Sequence, residues 1–137
     1  MIIGFDPGRD KCGIAITNQD RQILSHQIIP AEDAIATLAS LCNQYQPQCL
    51  VMGNQTTSKQ WQEKLIQELQ LSIPIVLVDE RNSTLEARKR YWEMYPPKGL
   101  QKLIPLDLRI PPRPVDDIVA ILLIERYLAK TSIKQSL

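Results

Sequence analysis

Residues 1–17, MIIGFDPGRDKCGIAIT, decide how the rest of the chain is read. Ile2, Ile3 and Phe5 form a short apolar run that closes on a carboxylate, Asp6. Pro7 and Gly8 turn the chain, Arg9, Asp10 and Lys11 are polar, and Gly13 to Thr17 returns to an apolar, β-branched pattern. That is the pattern of a strand, a tight turn and a second strand. A carboxylate at the end of a buried strand is costly unless it is hydrogen-bonded, paired or bound to a cation. Asp6 is therefore either a turn residue bonding the Gly8 backbone or part of a site.

Outward from this hairpin, Arg21 to Ile29 predicts a third strand, with the lone His26 inside it and assigned no role. Pro30 suits the first position of a helix, and Ile35, Leu38, Ala39, Leu41 and Cys42 recur at helical spacing up to about Tyr45, before Pro47. Cys49 to Met52 is a short apolar strand running into the polar loop Gly53 to Thr57. A second helix covers Ser58 to Gln70, with Trp61, Leu65 and Leu69 on one stripe. Ile73 to Val78 reads as a buried strand that ends on Asp79-Glu80-Arg81, and a third helix opens with a capping-box pattern, Ser83 and Glu86. Pro96 to Pro114 holds six of the ten prolines, together with Lys98, Lys102, Arg109 and Arg113. A connection this long is usually functional. The last helix starts at Asp116 or Asp117 and is apolar nearly all round from Ile118 to Ile124, so it should be buried against the sheet. The order β-β-β-α-β-α-β-α-α predicts an α/β fold. Its five-stranded mixed sheet has an antiparallel three-strand meander plus parallel strands, with helices on both faces.

At 137 residues the chain is expected to be one domain, 1–137, and its 44% hydrophobic and 23% charged composition is that of a globular protein. The longest apolar run is far short of a membrane span, and no signal segment opens the chain, so a cytoplasmic location is expected. Three cysteines without metal spacing read as reduced thiols. Net charge is only +1, but Arg81 to Arg113 carries eight Lys and Arg against Glu86, Glu93 and Asp107, a local surplus of five. A basic surface beside an acidic remainder suits a protein that grips a phosphate backbone.

Three acidic positions can meet. The carboxyl ends of parallel strands form the ligand crevice of an open α/β sheet. Asp6 and Glu80 both close such strands, and the last helix can bring Asp116 or Asp117 to the same end. Carboxylates gathered in one place repel unless a cation lies between them, and oxygen ligands of this kind select Mg²⁺ or Mn²⁺. Two such ions about 4 Å apart activate a water and stabilise the leaving oxygen of a phosphodiester.

FDPGRDKCGIAI, VMGNQTTSK, VDERNSTLEAR and VDDIVAILLIERYL, taken in this order, resemble the RuvC-like, YqgF-type nucleases of the RNase H-like superfamily, over nearly the whole chain. The resemblance implies an RNase H-like fold and a divalent-metal endonuclease acting on structured nucleic acid, either branched DNA or structured RNA, as a monomer or homodimer. Carried over by position, Asp6, Glu80 and Asp117 would be the catalytic metal carboxylates, with Asp116 a further candidate ligand. Lys11, Asn54, Thr56, Thr57, Arg81, Thr84 and Arg88 would line the site or hold phosphates. Asp117 is preferred over Asp116 because Ala120 and Ile124 then follow the family's spacing. Holliday junction resolvases proper carry a fourth carboxylate three residues further on, where this chain has Ala120. That departure favours the three-carboxylate, YqgF-like type, linked to ribosomal RNA precursor maturation.

Two other function classes are weighed. Gly8 to Gly13 has P-loop glycine spacing, but Ile14 replaces the lysine and the segment enters a strand. Kinases with an opening Asp-x-Gly need two such domains around the nucleotide, and this chain supplies one. A non-catalytic nucleic-acid- or ribosome-binding protein that retains the fold would be expected to lack part of the carboxylate set.

Overall fold

The computed structural model describes residues 1–55 and 57–136, with side chains as far as residue 131. The elements follow the expected order: β1 (Ile2–Asp6), β2 (Lys11–Thr17), β3 (Ile23–Pro30), α1 (Ala34–Tyr45), β4 (Cys49–Gly53), α2 (Ser58–Leu69), β5 (Ile75–Val78), α3 (Ser83–Met94) and α4 (Asp116–Ser136). The sheet runs β3-β2-β1-β4-β5. β1–β2 and β2–β3 are antiparallel, whereas β1–β4 and β4–β5 are parallel. The meander and the helical crossovers thus form one mixed sheet, and β4 separates β1 from β5.

Period-two alternation divides the sheet into two faces. Ile3, Phe5, Ile14, Ile16, Leu50 and Met52 point to one side, where α1 and α2 bring Leu38, Leu41 and Leu65. Ile2, Ala15, Cys49 and Val51 point to the other, against α3 and the buried run Ile118 to Ile124 of α4. The apolar last helix is therefore the main cover of one face. Among the described residues no helix is long and apolar enough to cross a membrane.

Several boundaries differ from expectation. Pro30 closes β3 opposite Lys11 instead of opening α1, and a 3-10 turn, Ala31–Asp33, lies between. β5 starts at Ile75, after Pro74, whose carbonyl accepts from Leu50 N at 3.0 Å but which has no N–H to donate to the ladder. As an edge strand β5 is only partly covered, with Leu77 40% exposed, so its apolar run is not that of a fully buried strand. The capping box does not form. Asn82, left-handed at φ 60°, precedes α3, and its side chain makes no cap bond, while Ser83 is the first helical residue. Tyr91 and Trp92 of α3 pack in the core, and only Tyr95 of that aromatic group is exposed.

How closely α4 lies on the sheet depends on two glycines. A Cβ on Gly4 of β1 would overlap the carbonyl oxygen of Ala120, and one on Gly13 of β2 would overlap the carbonyl oxygen of Asp116. Both obstacles are backbone atoms of α4 and cannot swing aside. Gly13→Ala is therefore expected to lower stability by about 2 kcal/mol or more, measured by urea denaturation. A loss below about 0.5 kcal/mol, the range of neutral surface changes, would mean that α4 is free to shift on the sheet.

Candidate functional site

Asp6 is the last residue of β1 and pairs with Gly13. It shares the face of Ile2 and Gly4, so its carboxylate points toward the side covered by α4. Glu80 follows β5 at the same end of the sheet, and Asp116 opens α4 above Gly13. Glu80 lies so close to Gly53, at the end of β4, that a Cβ there would overlap its Oε2. The carboxyl ends of the three parallel strands thus carry, or directly face, these acids.

Asp6 is 9% exposed, and among the described residues its carboxylate accepts no hydrogen bond; burial and two like charges act on it. Burial, with the negative charges of Asp116 and Glu80, pushes its pKa up to about 7. Burial and neighbouring Asp79 also raise Glu80, with Arg126 opposing, and Gln55 Nε2 donates to Glu80 Oε2. Lys11 Nζ stands 4.0 Å from Asp116 Oδ2.

Asp117 occupies a different environment. It is 3% exposed, and both its oxygens are taken. Arg113 Nη1 donates to Oδ1 at 3.0 Å and Nη2 to Oδ2 at 3.3 Å, while His26 Nδ1 lies 2.6 Å from Oδ2. Burial works against its ionisation, yet the hydrogen bonds from Arg113 and His26 outweigh it and hold the pKa below the ordinary carboxylate value. The Arg113 guanidinium also stacks over Tyr91 and Tyr95, at 5.4 and 5.6 Å from the ring centroids. Asp117 is thus the centre of a buried knot joining β3, α4 and the end of the Pro-rich segment. Asp117, preferred over Asp116 from the sequence, is held in this knot, whereas the charge of Asp116 acts on Asp6. One residue along a helix turns about 100°, so only one of the adjacent pair can face Asp6, and it is Asp116. His26, given no role from sequence, is one of the groups that hold Asp117 away. No local signal marks this, because the two are 91 residues apart.

Lys11, Thr84, Arg88 and Asp116 line one cleft of about 230 Å³, together with Ile110, Pro111 and Arg113. Arg81 lies elsewhere. It lines a separate cleft with Asn82, Arg126 and Lys130, and it makes no ion pair with Asp79 or Glu80; only its backbone N–H donates to Asp79 Oδ1. Asn54 is exposed just after β4, its N–H donating to Val78 O at 3.0 Å. Thr57 is exposed at the start of α2. Thr56 lies outside the described residues. In the Pro-rich segment, Arg109 is committed to the carbonyls of Gln101, Lys102 and Ile104. A larger cavity of about 460 Å³, between the C-terminal ends of α1 and α2, contains no carboxylate or histidine and lies at the other end of the sheet.

The donor set bears on whether a cation belongs here. Asp6, Glu80 and Asp116 offer only oxygen, which suits Mg²⁺ or Mn²⁺, and a buried carboxylate raised by two others lacks a counter-charge. As placed, no three His, Cys, Asp or Glu side chains among the described residues are close enough to ligate one ion. Glu80 accepts from Gln55, and Asp116 stands beside Lys11. The residues fit the cation in charge and donor chemistry.

A family model described as RuvX, Holliday junction resolvase, matches residues 1–130. The chain is 30% identical over 115 residues to a protein of Buchnera aphidicola subsp. Baizongia pistaciae named "Putative pre-16S rRNA nuclease", over 74% of this chain and 84% of that one. Its fold is similar to that of Thermus thermophilus RuvC in complex with a Holliday junction substrate (TM-score 0.60, 15% identity, 95% and 94% of the two chains). It is equally similar to the Fowlpox virus resolvase in complex with Holliday junction DNA (TM-score 0.60, 14% identity, 95% and 97%).

Two pH effects of opposite sign follow. Asp6 keeps its proton in the folded state after the unfolded chain has lost it. Metal-free stability should therefore fall as pH rises from about 4 to about 7, and Asp6→Asn should remove that fall and be the more stable protein at pH 8. Asp117 contributes stability above the ordinary carboxylate pKa, lost only as pH falls through its lower folded value. Asp117→Asn should cost about 2 kcal/mol or more, while Asp116→Asn should be neutral or stabilising. Thermal denaturation in chelator at pH 5 and pH 8 checks all three, and equal losses for the two adjacent aspartates would contradict the division drawn here.

Proposed function

The chain belongs to the RuvX Holliday junction resolvase family and is a nuclease acting on structured nucleic acid, and from that premise we propose that Asp6, Glu80 and Asp116 form its metal-binding catalytic centre. The observation that carries this is the buried, unpaired Asp6, pushed up to about 7 by burial and by the other two acids. Mg²⁺ or Mn²⁺ held by these three carboxylates would supply the polarisation that turns a water into a nucleophile and stabilises the leaving oxygen.

The chain's own residues do the rest. Lys11, Thr84 and Arg88, on the walls of the cleft that contains Asp116, hold the phosphates flanking the scissile bond. Asn54 and Thr57, in the loop before α2, present polar groups at the same end of the sheet, where the start of a helix favours phosphate. Thr56 belongs to this loop by sequence. Arg81, in its separate cleft, is assigned to phosphates further along the strand. Asp117 is assigned no metal. With His26 and Arg113 it fixes the first turn of α4, and hence the direction of Asp116.

The whole chain, 1–137, acts as one nuclease domain, with the basic segment 96–114 walling the cleft through Ile110 and Pro111. The substrate is a ribosomal RNA precursor, as in the Buchnera relative's name, or a four-way DNA junction, as for the two resolvases. Three unpaired cysteines suit work in the reducing cytoplasm. A binding-only role would require the carboxylate set to be dispensable.

The test pairs wild type with Asp6→Asn, Asp116→Asn and Asp117→Asn on an end-labelled four-way junction and a structured ribosomal RNA precursor, with Mg²⁺, Mn²⁺ or chelator. Metal-dependent cutting should fall by at least about 100-fold in the first two variants, the scale of removing one charge-stabilising group, with binding retained. Asp117→Asn, which leaves the three proposed ligands in place but loosens the turn that aims Asp116, should lose less activity than either at equal folded fraction. The preferred substrate separates RNA processing from junction resolution. Wild-type cutting by Asp6→Asn would remove that residue from the site. Replacing Lys11 and Arg88 by Ala should lower the slope of log K against log salt by about 1.5 to 2, and an unchanged slope would assign the phosphates to other residues.

A further inference from the structure

We infer that Arg126 is a positioning residue that sets the turn carrying Glu80 and thereby aims its carboxylate. The inference rests on Glu80 being one of the three metal carboxylates, and it adds how that acid is held. Arg126 Nη1 donates to the carbonyl of Asp79 at 2.7 Å, and Nη2 donates to the carbonyl of Arg81 at 2.9 Å. One planar guanidinium therefore grips the residues on both sides of Glu80, from a helix 45 residues further along the chain. Its Nη2 also lies 3.0 Å from Glu86 Oε2, which keeps the fork in plane from the α3 side.

The turn needs such a support. It follows the edge strand β5, which has a neighbour on one side only. Beyond Glu80 the backbone passes through the left-handed Asn82 before α3 begins. Its other backbone ties are local: Arg81 N donates to Asp79 Oδ1 at 2.9 Å and Ser83 N to Glu80 O at 3.0 Å, while Gln55 Nε2 meets only the Glu80 side chain. These shape the turn but do not attach it to the rest of the site. Arg126 does, because α4 also carries Asp116 ten residues earlier, about 15 Å along the same axis. One rigid helix therefore presents one acid directly and holds the backbone of another, so both keep station relative to Asp6 on β1. A lysine could not do this, since a single ammonium lacks the two parallel donors that span two carbonyls. The neighbouring pair supplies a control. Arg90 Nη1 and Nη2 meet Glu125 at 3.0 Å each, tying α3 to α4 without touching the Glu80 turn.

Arg126→Gln, Arg126→Lys and Arg90→Gln would be compared with wild type in three measurements. These are Mn²⁺ binding by calorimetry without nucleic acid, cleavage as a function of Mn²⁺ concentration, and amide hydrogen exchange in chelator. Both Arg126 variants should weaken Mn²⁺ binding about tenfold or more, the scale for removing a group that orients a metal ligand, and should raise the half-saturating Mn²⁺ for cutting to match. Exchange should quicken at residues 79–83. Arg90→Gln should lower the melting temperature and leave Mn²⁺ binding and exchange at 79–83 unchanged. Full rescue by lysine, wild-type Mn²⁺ binding in Arg126→Gln, or an equal effect of Arg90→Gln would overturn the inference. If wild type itself neither binds Mn²⁺ nor cuts, the metal centre fails instead, and the exchange data still decide whether Arg126 holds the turn.

Discussion

The close approach of α4 to β1 and β2 is the constraint on which the rest of the structure depends. The carbonyls of Ala120 and Asp116 sit where Cβ atoms of residues 4 and 13 would otherwise stand. Backbone-to-backbone packing of this kind leaves the helix no room to slide, because close-packed interiors transmit any displacement of volume. It sets the depth at which Ile118, Ile121 and Ile124 are buried. It also sets the height at which the first turn of α4 meets the end of β1. Gly13 pairs with Asp6 in the ladder and receives Asp116 from above. The same glycine thus links the strand acid to the helix acid.

Around that contact the charges are divided into two groups with opposite energetics. Asp117 is neutralised in place by Arg113 and His26, and it stabilises the fold where α4, β3 and the Pro-rich segment meet. Asp6 lies buried near Glu80 and Asp116 with no compensating charge, and its ionisation works against folding. Strain at a functional site is held by the surrounding structure. Here the holding elements are the glycine contacts, the Asp117 knot and the guanidinium of Arg126.

The segment between α3 and α4 follows the same economy. It contains two 3-10 turns, Gly99–Leu103 and Leu106–Leu108, and Arg109 braces it internally through three carbonyls. Lys89 of α3 reaches Asp107 at 3.6 Å, and Arg113 stacks on Tyr91 and Tyr95. Two of its four basic residues therefore maintain its shape, while Lys98 and Lys102 are exposed. A count of positive charges along a segment overstates what is free to meet phosphate.

Read by itself, the sequence determined the element order, the mixed sheet, the two apolar faces and the presence of Asp6 and Glu80 at strand ends, because hydrophobic periodicity and turn chemistry are local. It also brought the adjacent aspartates to the start of a buried helix. Only the tertiary structure decided which of the two faces Asp6, since the choice depends on the rotation of α4 over Gly13 and on partners far away in sequence, His26 on β3 above all. Asn82 taking the left-handed turn in place of a Ser83 cap, Arg81 turning into a separate cleft and Arg126 reaching back to the Glu80 turn are decisions of the same kind. Each is a contact between elements whose relative placement no local pattern encodes.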